Sequence, residues 1–130
     1  MSSVTGIAVE GKCTGEERGD ISFHAIDLST GEVIFERGPI ESGTKDIAEF
    51  LGIVLALAHL RKKKDYRTPV YSASEAAIGW ARVGQVMDWW DFDPFSEGAD
   101  MVRKAEKWLQ VNSVQNKVIK WNSQTKGTEV

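Results

Sequence analysis

Two carboxylates sit where their chemistry needs explaining. Glu10 closes the apolar run Thr5–Val9, just before the glycine-rich stretch Gly11-Lys-Cys-Thr-Gly15. A carboxylate at a sheet end lies where open α/β sheets hold their ligands. The plain alternative is a solvated strand end. Glu49 falls in the first turns of an apolar helical run, with Gly52 and Ile53 three and four positions on. An acid on a half-buried helix face needs a cation or hydrogen bonds. The plain alternative is a side chain that reaches water beside Lys45. Cys13 lies close to Glu10, but no neighbouring base marks it as a nucleophile. His24 lies in a strand and His59 at a helix end, neither beside a cysteine or a pair of acids, and both read as structural. Gly11 to Gly15 is too short and wrongly spaced for a Walker loop.

The elements that must position these residues follow from periodicity. Thr5–Val9 is a short apolar strand, and Gly11–Gly19 reads as loop. Ile21–Asp27 alternates with period two, the pattern of a half-buried strand. Ser29–Glu32 is a turn, and Val33–Arg37 returns as the second arm of a hairpin that Gly38 and Pro39 end. From Thr44 to Leu60 the period changes. Ile47, Phe50, Leu51, Val54, Leu55 and Ala58 recur at helical spacing, with Thr44 as N-cap. Ile53, Ala56 and Leu57 widen the apolar surface, so this helix should be covered on more than one side. Thr68–Ser72 is a strand, Ser74–Val83 a helix, Ala99–Val111 an amphipathic helix and Lys117–Trp121 a last strand. Residues 122–130 form a polar tail. The order β-β-β-α-β-α-α-β argues a mixed sheet with helices packed on it.

Composition bounds the rest. The chain has 130 residues, a formal net charge of -3, 42% hydrophobic and 27% charged residues, which describes one globular domain. One cysteine excludes an intrachain disulfide framework and a cysteine-based zinc cage. No stretch has the length of a membrane span, and no signal-peptide pattern opens the chain, so a cytoplasmic setting and no membrane partner are expected. The charge is unevenly spread. Residues 61–70 hold five bases against Asp65, and residues 101–130 hold six bases against two acids. Nucleic acid is a candidate partner if these two segments meet in space. Residues 84–97 carry a net charge of -4 with Trp89, Trp90, Phe92 and Phe95 among the acids. Such an acidic-aromatic segment either folds back on the core or presents a protein-contact patch.

The runs AVEGKCTGEERG, ISFHAIDLSTGEVIFERGP, GTKDIAEFLGIVLALAHL, PVYSASEAAIGWAR, AEKWLQ and KVIKW resemble type 1 ribonuclease H, particularly its compact bacterial branch. The resemblance covers nearly the whole chain in order. It implies an α/β fold with a five-stranded mixed sheet, its first three strands antiparallel, flanked by helices. It also implies hydrolysis of the RNA strand of an RNA–DNA hybrid, with four carboxylates around two magnesium ions. Two such cations stabilise the attacking and leaving oxygens of an in-line displacement and demand several oxygen ligands.

Matched residue by residue, the carboxylate set is incomplete. The first-strand aspartate falls on Glu10, longer by one methylene, about 1.5 Å, where catalytic groups tolerate roughly 0.5 Å. The helix glutamate falls on Glu49. The third acid falls on Ala73, in Tyr71-Ser-Ala-Ser74, where no oxygen is available. The fourth belongs beyond the last strand, and Glu129 sits too early to match it. Magnesium or manganese is therefore expected to bind weakly or not at all, at Glu10 and Glu49 if anywhere. The resemblance places hybrid contacts at Lys12, Cys13, Thr14 and Ser74. The acidic 84–97 segment would oppose phosphate. Three readings follow. The leading one is a ribonuclease H-like domain with a degraded metal site, binding nucleic acid or a protein. The second is a magnesium-dependent ribonuclease H, either weak or disabled by an introduced aspartate-to-alanine change at position 73. The third is a self-associating protein that uses Trp89, Trp90, Phe92 and Phe95.

Overall fold

The computed structural model describes residues 5–16, 18–87 and 95–121. Five strands and three helices follow in the order β1 (Ile7–Cys13), β2 (Gly19–Asp27), β3 (Val33–Gly43), α1 (Lys45–Lys62), β4 (Val70–Ser72), α2 (Glu75–Val83), α3 (Glu97–Val111) and β5 (Val118–Lys120). The sheet order is β3-β2-β1-β4-β5. β1, β2 and β3 pair antiparallel, and β4 runs parallel to both β1 and β5.

Alternation along the strands sorts the sheet into two faces. Ile7, Val9, Ile21, Phe23, Ala25, Val70 and Val118 are buried on one face. α1 lies across it, and α2 and α3 flank α1, with Phe50 of α1 meeting Trp80 of α2 edge to face. This position explains why α1 is apolar nearly all round: the sheet lies beneath it and a helix on either side. Fully burying each of Ile47, Phe50, Ile53 and Leu57 contributes about 1.5–3 kcal/mol. Two glycines permit the close approach. A Cβ on Gly11 would meet the Ala48 Cβ at 2.7 Å and the Glu49 N at 2.8 Å, and one on Gly52 would strike Val9. The opposite face, with Ala8, Glu10, His24, Ile26 and Tyr71, carries no helix among the described residues.

The observed elements depart from the sequence pattern most at three places. β1 continues through Gly11, Lys12 and Cys13, read above as loop, because each finds a partner on β2 in Phe23, Ser22 and Ile21. β3 continues through Gly38 and Pro39 instead of ending there. Ile21 pairs with Ile40 while Phe23 pairs with Arg37, so β3 carries an extra residue at Gly38 and Pro39, one of three register shifts along this pair. A proline is tolerated there because β3 is an edge strand. α3 begins at Glu97, two residues early, because the Ser96 hydroxyl accepts from the Ala99 N–H at 3.1 Å and caps it.

Candidate functional site

The sequence of α1 determines where its acid goes. Thr44 caps the helix by accepting from the Ile47 N–H, and Glu49 follows on the turn above the end of β4. Only Ile7 and Ala8 of β1 pair with β4, at Val70 and Tyr71, so beyond Ala8 a gap opens between the two strands. Glu49 reaches into it. One carboxylate oxygen accepts from the Gly11 N–H at 2.7 Å, and the other from the Ser72 hydroxyl at 2.6 Å. The side chain is 1% exposed. Burial pushes its carboxyl above the usual range, while the Ser72 hydroxyl, the Gly11 N–H and the Lys45 ammonium oppose that rise. Glu49 thus ties α1 to β1 and β4 at the point where the strands part.

The network continues past Ala73. The Ser72 oxygen accepts from the Ser74 N–H at 3.2 Å. The Ser74 hydroxyl donates to Asp46 at 2.7 Å and accepts from the Ala77 N–H at 3.0 Å as the N-cap of α2. Ser74, expected to touch nucleic acid, is buried and its hydroxyl is spent on α2 and α1. Between the two serines, Ala73 projects a methyl group to solvent.

Glu10 lies on the other face from Val9 and Gly11. It sits within β1 rather than at its end, directly opposite His24 of β2. The Glu10 carboxylate lies 3.3 Å from His24 Nε2. A cavity of about 250 Å³ joins Glu10, His24, Lys45, Glu49, Ala73 and Trp121. Glu10, Glu49 and Ala73, the three positions matched to carboxylates, thus line one cavity. His24, read from the sequence as structural, lines it as well, together with Lys45 and Trp121. The Glu10–His24 pair depends on strand register, which residue types alone do not reveal.

The other expected contacts lead away from the cavity. Lys12 is exposed further along β1. Cys13 is half-buried with its sulfur 3.8 Å from the Gly43 carbonyl. Thr14 closes the hairpin by donating its backbone N–H to the Asp20 carbonyl and accepting the Asp20 N–H on its hydroxyl. Phe95 is 93% exposed. Trp89, Trp90, Phe92 and Glu129 lie outside the described residues.

The site does not fit two magnesium ions. One expected ligand is a methyl group, both oxygens of Glu49 hold hydrogen bonds to the fold, and Glu10 pairs with an imidazole. Among the described residues no cluster of three or more histidine, cysteine, aspartate or glutamate side chains could hold a metal.

No protein-family model matches the chain. Solved structures do resemble it. The N-terminal RNase H domain of a Mycobacterium tuberculosis protein is 12% identical, with 95% of this chain and 92% of that chain covered and a TM-score of 0.54. An RNase H1 isolated from compost by a metagenomic approach is 14% identical, with coverages of 96% and 90% and a TM-score of 0.58. The same compost protein, solved in complex with an RNA/DNA hybrid, is 17% identical, with coverages of 94% and 88% and a TM-score of 0.53. The chain therefore has the ribonuclease H-like fold. No helix among the described residues is long and apolar enough to cross a membrane.

Proposed function

We propose that this chain is a ribonuclease H-fold domain that does not perform two-metal hydrolysis and acts as a nucleic-acid binding module. The single observation that carries this reading is the methyl group of Ala73 at the mouth of the carboxylate cavity. With both Glu49 oxygens bonded into the fold and one Glu10 oxygen 3.3 Å from His24 Nε2, the cavity lacks the set of oxygens that two cations need. Binding needs no such set, and the scaffold that would present a hybrid is retained.

The reading predicts no magnesium- or manganese-dependent cleavage of an RNA–DNA hybrid above the metal-free control, together with measurable hybrid binding. Robust metal-dependent turnover by the unaltered chain would overturn it and restore the hydrolase reading. A second reading, contact with a protein or a second copy of the chain, is supported by Phe95 at 93% exposure and Met87 at 63%. Both residues belong to the acidic-aromatic segment. Sedimentation tests it: a strict monomer at high concentration rules out self-association.

A further inference from the structure

The basic segment after α1 meets residues 113–117, which contribute Lys117, at the end of α1 remote from the cavity. α1 starts beside Gly11 and ends beside the turn that leads into β4. The Arg61 guanidinium donates to the Ser113 carbonyl at 3.0 Å, which draws the segment before β5 against the end of α1. The Asn116 side chain donates to the Asp65 and Thr68 carbonyls, and the Val70 N–H donates to the Lys117 carbonyl. Lys62, Lys63, Lys64, Arg67 and Lys117 are all exposed around this junction. A helix C-terminus favours one or two bases in its last turn, but this cluster extends past the helix into two further segments.

Two acids lie nearby. Asp65 uses its carboxylate on the Arg67 and Thr68 N–H groups and the Thr68 hydroxyl. Asp27 uses its own on the Ser29 N–H and hydroxyl. Both lie near Lys63 without forming an ion pair. Among the described residues none of the five exposed bases lies within ion-pair distance of an acid. His59, just inside the patch, is held below the usual imidazole range by burial and then by Lys63 and Lys62, with Asp27 opposing. Tyr66 stands amid the bases, 39% exposed, with the Arg61 guanidinium 6.0 Å from its ring centre.

We infer that the end of α1, the turn after it and the segment before β5 form a second nucleic-acid surface, which takes the phosphate backbone of a duplex. Lys63 lies fourteen residues from Glu49 along the helix, about 20 Å at 1.5 Å per residue, so this surface is separate from the cavity. Lysines fanned around a helix end suit a dense, sequence-independent row of phosphates. A bilayer would call for large apolar anchors, and Tyr66 is the single exposed aromatic within the patch. The inference rests on the proposed binding function only for its choice of polyanion.

The test is fluorescence anisotropy with a dye-labelled RNA–DNA hybrid of about 20 base pairs, titrated between about 50 and 200 mM salt. Replacing Lys62→Gln, Lys63→Gln and Lys117→Gln together should shallow the slope of log affinity against log salt by about 2 to 3 and weaken binding at least tenfold at the lower salt. Circular dichroism confirms that the variant is folded, and Lys62→Gln with Arg67→Gln is the second variant should it not be. An unchanged slope in a folded variant overturns the inference. If only Lys12→Gln with Lys45→Gln weakens binding, this surface is excluded while the proposed function stands. If the unaltered protein does not bind the hybrid at either salt, both fall. Patch-dependent binding to phosphatidylserine vesicles with none to the hybrid also overturns the inference.

Discussion

At the scale of single residues, Glu49 holds the fold together. Its carboxylate satisfies the Gly11 N–H and the Ser72 hydroxyl, which no other described group serves. Glu49→Ala should lower unfolding stability in urea by about 2–4 kcal/mol, since it strands both buried donors. Glu49→Gln keeps one acceptor and should leave the fold intact. It should also change the pH dependence. Burial raises the Glu49 carboxyl in the folded state, so the folded protein holds that proton more tightly than the unfolded chain. Its contribution is fully present below the unfolded value of about 4.3 and is lost as pH rises through the raised one. The stability of the unaltered protein minus that of Glu49→Gln should therefore fall as pH rises across this window. Asp65, lowered by its bonds to Thr68, acts in the opposite sense and is common to both proteins. A flat difference would show that Glu49 does not titrate as described.

Ala73 allows a complementary experiment. Ala73→Asp with Glu10→Asp adds one carboxylate at the cavity mouth and shortens the other by a methylene. Manganese should then bind detectably by calorimetry where the unaltered chain gives no heat. Equal binding in the two proteins would mean that the methyl group is not what excludes the metal.

At the scale of elements, the contact between α1 and β1 depends on having no side chain at Gly11. Gly11→Ala would press a methyl group onto the Ala48 Cβ and the Glu49 backbone N, and helix backbone yields little. The expected loss is about 1–3 kcal/mol, read as a lower urea midpoint with an unchanged m-value. α1 itself is legible in the sequence because its period is strong and Thr44 marks its start. β1 is not legible past Glu10, because Gly11 and Cys13 carry little strand preference and join the ladder only through their partners on β2. β3 is illegible at Pro39 for a related reason: a proline ends a central strand but not a bulged one at an edge. The candidate site shows the same division. Glu10, Glu49 and Ala73 are legible as types in a pattern. The pairing of Glu10 with His24 and the capture of Ser74 by Asp46 depend on register and helix docking, which bring together residues distant in sequence.

At the scale of the whole molecule, charge is sorted along α1. Glu10, Asp46 and Glu49 lie by its start, and Lys62, Lys63 and Lys64 surround its finish. A net charge of -3 conceals this polarity, so composition alone does not reveal the basic end. The basic stretch after α1 is legible in the sequence, but the approach of Lys117 to it is not. It depends on Arg61 and Asn116 drawing the segment before β5 onto the turn after α1.

The lateral margins of the sheet carry one more consequence. On one side the last described strand, β5, has only three residues; on the other, β3 is bent by a bulge at Gly38 and Pro39. Neither margin offers a long straight row of free donors and acceptors for a neighbouring chain to copy. Concentrated solutions of this protein should thus resist fibril growth, and copies that do associate must meet through side chains rather than by extending the ladder.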